Sequence, residues 1–507
     1  MNDTQPATAL PPLTKIVATI GPATAERSAL RGLIEAGAAV FRLNFSHGSL
    51  DDHQAVVEGL RAESEAAGRV IAIMGDLPGL KVRVGPIEGA GVEVRDGDTA
   101  IFQRPPIPAS TGTSPHRFNT TYEGLIDDVK VGDRVLVNEG VVRMRIVEVR
   151  KHEIVCTVTT GGVVSSGKGV NLPDSRVNAP VPTERDAECV RWAIDHDLDF
   201  LAQSFVRSAE DISRLRTLIA RELERSGRVQ ERLPIIAKIE HPAALQEIEA
   251  IIDAADGIII ARGDLGVETE LARVPVMQRM LTAAAQAAGK PCLVATHMLE
   301  SMIDAPAPTR AEVSDVATAV FAGADAVMLS GETAIGKFPA RAVEFMVRIA
   351  REVEQAQAAE PPAQSPPAKP MRARHRTAAL AHGAFTIAAD YGAKFIAVWS
   401  QQGGGARLLS QNNFTIPILA FSSDRAAVCR MQILRGVCPV PSDPPRTLSG
   451  FTAMVDRVVL EAGWARRGDR CILIAGGPLG TQGVTNTLAL HEVGCPDSGF
   501  ICHGDVS

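Results

Sequence analysis

The chain has little cysteine: eight residues in 507, at Cys156, Cys189, Cys292, Cys429, Cys438, Cys471, Cys495 and Cys502. None form a Cys-x-x-Cys pair, which argues against a zinc ribbon or a thioredoxin-like redox site. Sparse thiols in a long chain suit a reducing compartment. The chain also lacks a basic excess, with 52 Lys and Arg against 59 Asp and Glu and a net charge of −7. That argues against nucleic acid and against an anionic membrane as partners, while leaving small anionic ligands open. No apolar run reaches about 18 residues, so no segment is expected to span a bilayer. The start, Met1-Asn2-Asp3-Thr4-Gln5-Pro6, lacks the basic and apolar regions of a signal peptide. A cytoplasmic globular protein is expected. At roughly 150 residues per domain the length predicts about three domains, with core enough to fold without metals or disulfides.

What is present is an alternation. The runs Lys15–Thr19, Val40–Leu43, Val70–Met74, Phe200–Ala202, Ile235–Ile239, Gly257–Ala261, Cys292–Ala295 and Ala326–Leu329 read as strands buried on both faces. Helical stretches lie between most of them. The plainest starts at Thr309, where Glu312 completes a capping-box pattern. Val313, Val316, Ala317, Val320 and Phe321 then form one apolar stripe before Gly323. Strands alternating with helices in this number predict a (β/α)8 TIM barrel, an α/β fold, with an open doubly wound sheet as the competing topology. Residues 85–180 interrupt the rhythm. Their period-2 runs, Arg134–Val137, Val141–Val147 and Ile154–Val158, read as an all-β insertion. Following a barrel strand, it sits at the C-terminal face and is placed to act as a lid. Residues 355–370 are Ala/Pro/Gln-rich and read as a linker. Phe395–Trp399, Ile416–Phe421 and Cys471–Ile474 then suggest a separate α/β domain. The expected organisation is a tail at 1–12, a barrel in two parts at 13–84 and 181–354, the insertion at 85–180, the linker, and a C-terminal domain at 371–507.

Polar residues gather just past the strands. Lys238 and Glu240 are two apart at a strand end and face one side. A structural ion pair is the plainer reading, but the cost of burying charge favours a site. Asp264, flanked by Gly263 and Gly266, is either a turn former or a partner of Glu240 in holding one hard divalent cation such as magnesium. Arg42, Asn44 and Ser46 alternate after the second strand, and Arg suits bidentate phosphate or carboxylate binding. His47 beside them is as readily structural. Lys81 and Arg83 past the third strand add cations to the same rim or belong to a solvated loop. Thr296, Ser330 and Glu332 past the seventh and eighth strands relay a proton or cap the helices that follow. In a barrel these ends meet at one mouth, and cations with metal-binding carboxylates there suit anion binding and phosphoryl chemistry.

The same runs resemble the pyruvate kinase family. They are Thr14–Pro22, Arg42–Gly48, Lys168–Pro173, Lys238–Glu240, Ala261–Gly266, Ala295–Met302, Pro308–Asp315 and Met328–Thr333, in family order, with a looser match at Gly483–Thr487. The resemblance implies a barrel, an inserted lid and a C-terminal regulatory-type domain, and phosphoryl transfer from phosphoenolpyruvate to ADP, giving pyruvate and ATP. It implies that Lys238 stabilises the transferring group, with Arg42 on the same phosphoryl oxygens. It assigns Glu240 and Asp264 to Mg²⁺ or Mn²⁺. Arg83 and the lid's Lys168 fall to the nucleotide phosphates, with His47 in the same nucleotide-binding set. The substrate carboxylate falls to the backbone of Ala261, Arg262, Gly263 and Asp264 with Thr296. Thr296, or a water relay through Ser330 and Glu332, is implied to protonate the enolate. A homotetramer is implied by the family alone.

Three departures stand out. In potassium-dependent members a monovalent cation is held by groups matching Asn44, Ser46, Asp76 and Leu77. Leu77 lacks the hydroxyl of those members, and Lys81 stands where they carry Glu, so Lys81 is expected to replace the cation and potassium to be dispensable. The stretch Ser400–Ala406 places Gln402 and Gly405 where bisphosphate-activated members carry hydroxyls, predicting a floppy loop and no fructose 1,6-bisphosphate activation. His241-Pro242-Ala243-Ala244 replaces the usual continuation after Glu240, with little expected effect. Two rivals remain: a mutase or aldolase-type lyase on the same barrel, which needs no nucleotide lid, and a degenerate metabolite sensor, which would have lost the residues that survive here.

Overall fold

Eight parallel strands close into a barrel in the computed structural model, which describes residues 10–87, 89–104, 114–175, 178, 181–228, 231–359, 376–476 and 485–500. In chain order they are β1 (Lys15–Ile20), β2 (Val40–Asn44), β3 (Ala72–Leu77), β4 (Phe200–Gln203), β5 (Ile235–Ile239), β6 (Gly257–Ala261), β7 (Cys292–Ala295) and β8 (Ala326–Leu329). β1 pairs with both β2 and β8, which closes the ring and excludes the open sheet.

Because strand side chains alternate, each strand feeds two cores. Val17, Val40, Met74, Ala202, Ile236, Ile259, Leu293 and Met328 pack together in the barrel interior. Ile16, Phe41, Ile73, Leu201, Ile235, Ile258, Val294 and Val327 pack with the surrounding helices. Continuing the inward rows two residues at a time leads to Thr19, Arg42, Asp76, Ser204, Lys238, Ala261 and Ser330. The polar mouth is therefore the upper end of the rows whose lower ends form the apolar interior.

The third strand is shifted from its expected position. It runs Ala72–Leu77 rather than Val70–Met74, so Gly75, Asp76 and Leu77 are strand and not loop. In-register pairing of Leu43 with Gly75 and Asn44 with Asp76 extends it, and the inward Asp76 is retained because cations meet it there. Gly75 is required: a Cβ there would stand 2.5 Å from the Phe45 ring.

Helix Arg310–Phe321 has its capping box, with Thr309 Oγ1 accepting from the Glu312 amide at 3.3 Å and Glu312 Oε2 accepting from the Thr309 amide at 2.7 Å. Its buried residues are Val316, Ala319 and Val320. Phe321, the last residue of the helix, is 53% exposed instead of joining the stripe.

The insertion is a six-stranded sheet plus a two-stranded one, over its own core of residues such as Phe102, Phe118, Met144 and Ile154. It also holds a single helical turn, Leu125–Asp128, so it is not wholly β. Helix Pro339–Ala359 continues five residues into the stretch expected as linker, since Gln355–Ala359 keep good helix formers and proline comes later. Residues 360–370 lie outside the described residues, as do 1–9 of the tail, Gly483, Val484 and Cys502. The C-terminal sheet has five strands in the order Val437–Pro441, Ile418–Ser422, Phe395–Trp399, Arg470–Ala475, Thr487–Glu492, the last antiparallel. Within it, Gly403 adopts φ +80° and Gly404–Ser410 is helical, with Ser400 Oγ accepting from the Ala406 amide at 3.1 Å. Gly404–Ala406 of the expected floppy loop thus form the first turn of a helix, and Ser400–Gly403 lead into it. The described cysteines are unbridged, and no described helix is long and apolar enough to cross a membrane.

Candidate active site

The inward rows place four buried charges in one chain. Lys238 Nζ lies 2.9 Å from Glu240 Oε1 and 3.1 Å from Asp76 Oδ2, and donates to Ser204 Oγ at 2.7 Å. Arg42 grips Asp76 Oδ2 through Nε at 2.7 Å and its second terminal nitrogen at 2.6 Å. The other terminal nitrogen donates to Thr19 Oγ1 at 3.1 Å. Glu240 Oε2 accepts from the Phe205 amide at 2.7 Å. Arg42 and Lys238 are each 8% exposed, Glu240 2% and Asp76 1%.

Burial pushes the Asp76 carboxyl up, but Lys238 and Arg42 outweigh it and hold the group below its ordinary range. Burial likewise presses Lys238 down, and Asp76 and Glu240 reverse it, so the ammonium is raised. For Glu240 burial wins: its carboxyl is raised, Lys238 opposing and Asp264 adding repulsion. Asp76 therefore does more than border the expected monovalent-cation region, because its Oδ2 meets both Arg42 and Lys238.

Asn44 turns its Oδ1 to the Ser46 amide at 3.1 Å, and Ser46 is exposed. Leu77 belongs to the outward row and is buried among the helices, so this position reaches the mouth only through its backbone. Burial lowers the His47 imidazole, and the charges of Arg83, Lys81 and Arg42 lower it further. Arg83 and Gly169 form an antiparallel bridge, Arg83 donates to the Gly167 carbonyl at 2.9 Å, and the Val84 amide donates to the carbonyl of Lys168 at 2.8 Å. Arg83 and Lys168 are held side by side where the insertion rejoins the barrel.

On the far side, β6 runs into helix Arg262–Glu268, which carries Gly263 and Asp264. The Arg262 side chain turns away from the mouth, donating to the Thr296 and His297 carbonyls at 2.9 and 3.0 Å and pairing with Asp315 at 2.6 Å. Thr296 and His297 both take positive φ, 70° and 52°, which is costly for non-glycine residues and tends to cluster at functional sites. That geometry lets Thr296 Oγ1 accept from the Gly263 amide at 2.6 Å while donating to the Ala295 carbonyl at 2.6 Å. Glu332, fully buried, accepts from the Leu299 and Ser330 amides at 2.9 and 2.7 Å. It therefore ties the loops after β7 and β8 together, and no hydrogen bond among the described residues joins it to Thr296.

Three carboxylates, Asp76, Glu240 and Asp264, face two cations, Arg42 and Lys238, at the base of the mouth. The base is short of positive charge. Glu240 and Asp264 offer two acidic oxygen donors, the set that magnesium completes with water and substrate oxygens rather than an all-protein cage. No group of three or more His, Cys, Asp or Glu residues suited to a metal occurs among the described residues.

Sequence reasoning missed Thr19 and Ser204, and with them the first and fourth strand ends. Their signal was the inward parity of Val17-Thr19 and Ala202-Ser204. It also missed Glu268, the last residue of helix Arg262–Glu268, which is 5% exposed and whose carboxyl burial pushes up to about 7.

Comparison with known proteins agrees in extent and order. Residues 12–343 match the family description "Pyruvate kinase, barrel domain" and residues 378–491 match "Pyruvate kinase, alpha/beta domain". The pyruvate kinase of Mycobacterium tuberculosis is 40% identical over 483 residues, covering 95% of this chain and 99% of that protein. That of Corynebacterium efficiens is 37% identical over 485 residues, covering 95% and 98%. The crystal structure of a pyruvate kinase from Cryptosporidium parvum superposes with a TM-score of 0.86 at 31% identity, covering 95% of this chain and 96% of that one. The chain belongs to the pyruvate kinase family of phosphotransferases.

Proposed function

We propose that this chain transfers the phosphoryl group of phosphoenolpyruvate to ADP, giving pyruvate and ATP. The observation that carries the reading is the buried Arg42–Asp76–Lys238–Glu240 chain at a barrel mouth. Such a transfer needs alignment and charge neutralisation rather than a protein nucleophile. Lys238 bears the charge on the transferring group, and Arg42, fixed by Asp76 and Thr19, binds its oxygens. Arg83, Lys168 and His47 serve the nucleotide phosphates. The backbone of Ala261–Asp264 and Thr296 take the substrate carboxylate, for which the Gly263 amide must be shared with Thr296 Oγ1. The bond from the enol oxygen to phosphorus breaks, a bond from the ADP β-phosphate forms, and the enolate carbon gains a proton from Thr296 or through water by Ser330 and Glu332. Glu240 and Asp264 would hold Mg²⁺ or Mn²⁺, which would supply the positive charge that the base lacks. The insertion at 85–180 serves as the lid that keeps water from the phosphoryl donor. The barrel at 13–84 and 181–354 and the C-terminal domain at 371–507 complete a cytoplasmic homotetramer, a reading that rests on the family. Oxidation of NADH in a lactate-dehydrogenase-coupled assay with phosphoenolpyruvate, ADP and Mg²⁺ tests the activity, and no turnover above the blank refutes it.

Potassium is dispensable in this reading, because Lys81 brings a fixed charge to the rim. The rate in KCl is expected to stay within about twofold of that in a tetramethylammonium salt at equal ionic strength, and a manyfold rise with KCl rejects the role of Lys81. Fructose 1,6-bisphosphate activation is absent, because Gln402 and Gly405 replace hydroxyls and the Ala406 amide is already taken by Ser400. The phosphoenolpyruvate saturation curve should not move on adding micromolar bisphosphate, and a left shift overturns this.

A further inference from the structure

The helix that carries Asp264 also meets the insertion at two points. Asn171 Nδ2, on the insertion's return strand Val170–Asn171, donates to Glu268 Oε1 at 2.6 Å. One residue earlier in the helix, Val267 lies 3.6 Å from where a Cβ at Gly140 would stand, in a tight turn of the insertion. Glu268 is 5% exposed, and its second carboxylate oxygen is buried with no hydrogen-bond partner. His241 Nε2 approaches that oxygen only to 3.9 Å. Beside the contact is a cavity of about 60 Å³ lined by Lys81, Asn171, Phe205, Arg207, His241 and Glu268 among others, room for about two waters.

A buried, half-satisfied carboxylate is a poor choice for stability, and an apolar residue of similar volume would serve the fold as well or better. Its position in the chain suggests another use. Asn171 stands three residues after Lys168, and Glu268 stands one helical turn after Asp264. The hydrogen bond is thus a short tie between the segment proposed to hold nucleotide phosphates and the helix proposed to hold the divalent cation.

We propose that Glu268 is a positioning residue, which through Asn171 fixes the lid's return strand against the Asp264 helix and so sets Lys168 for the nucleotide. The proposal rests on the phosphotransfer reading above. Kinetics of the full-length enzyme test it, with phosphoenolpyruvate and Mg·ADP varied separately. Glu268→Ala and Asn171→Ala should each raise the KM for ADP about tenfold while leaving that for phosphoenolpyruvate within about threefold. The double variant should be no worse than either single variant, because both remove one bond. Glu268→Gln keeps an acceptor oxygen for Asn171 and should restore the ADP KM to within about threefold of wild type. An unchanged ADP KM in both alanine variants, losses that add in the double variant, or a lowered melting temperature with unaltered kinetics overturns the proposal. If the wild type itself transfers no phosphoryl group, the functional reading fails instead, and the two failures are distinct.

Discussion

Lys238→Met is expected to lower kcat about 10³-fold, because the group removed is the buried cation nearest the proposed transferring phosphoryl group. The variant should also be less stable. Asp76 and Glu240 would lose a partner at 3.1 and 2.9 Å while staying buried, and breaking such a pair costs about 3–5 kcal/mol. The loss should depend on pH. Burial already raises the Glu240 carboxyl against the pull of Lys238; without the ammonium it rises further, so the folded chain binds more protons than the unfolded one and its stability falls as pH rises. Thermal melts at pH 5.5 and 8 should show the deficit against wild type growing toward pH 8. Turnover within tenfold of wild type would remove Lys238 from the chemistry. A deficit that shrinks with pH would contradict the electrostatic account of the cluster.

Asp76→Asn should cut kcat/KM for phosphoenolpyruvate about 10²-fold, although Asp76 is assigned no contact with substrate. The substitution preserves shape and removes the one anion that Arg42 and Lys238 share. Arg42 then keeps Thr19 Oγ1 at 3.1 Å and at most a neutral amide oxygen in place of the carboxylate, and two buried cations repel each other across that amide. Misplacing a positioning group by about 1 Å is enough for a loss of this size. Activity within threefold of wild type, in the coupled assay, would show that the cations hold their places without Asp76.

The barrel was legible because its signal is local. Continuous apolar runs of strand length, as in Ile235–Ile239 and Gly257–Ala261, admit few other readings once they alternate with helices. The pairing of Lys238 with Glu240 was legible for the same reason, since i and i+2 on a strand must share a face. Asp76 was harder. It follows Gly75 and precedes Leu77-Pro78-Gly79, a composition that reads as a turn. Only the register with β2, which sets Asn44 beside Asp76, shows it to be strand and inward. Ser204 and Thr19 carry no charge, so nothing in their residue type marked them. Their inward parity did, but it gains meaning only when other strands bring charges to the same level. Contacts between segments far apart in sequence were beyond reach altogether. Asn171 and Glu268 are 97 residues apart, and no periodicity joins them. The Thr296 hydroxyl is similar: a helix cap was one reading, whereas it accepts from the Gly263 amide past the end of the neighbouring strand.

The central claim is that one barrel mouth moves a phosphoryl group intact between two small anions. Phosphorus NMR of the wild-type protein with phosphoenolpyruvate, ADP and Mg²⁺ tests it most directly. The account predicts loss of the phosphoenolpyruvate signal matched one for one by the γ-phosphorus of ATP. Inorganic phosphate appearing in its place, or a phosphorus-containing product formed without ADP being consumed, would contradict it.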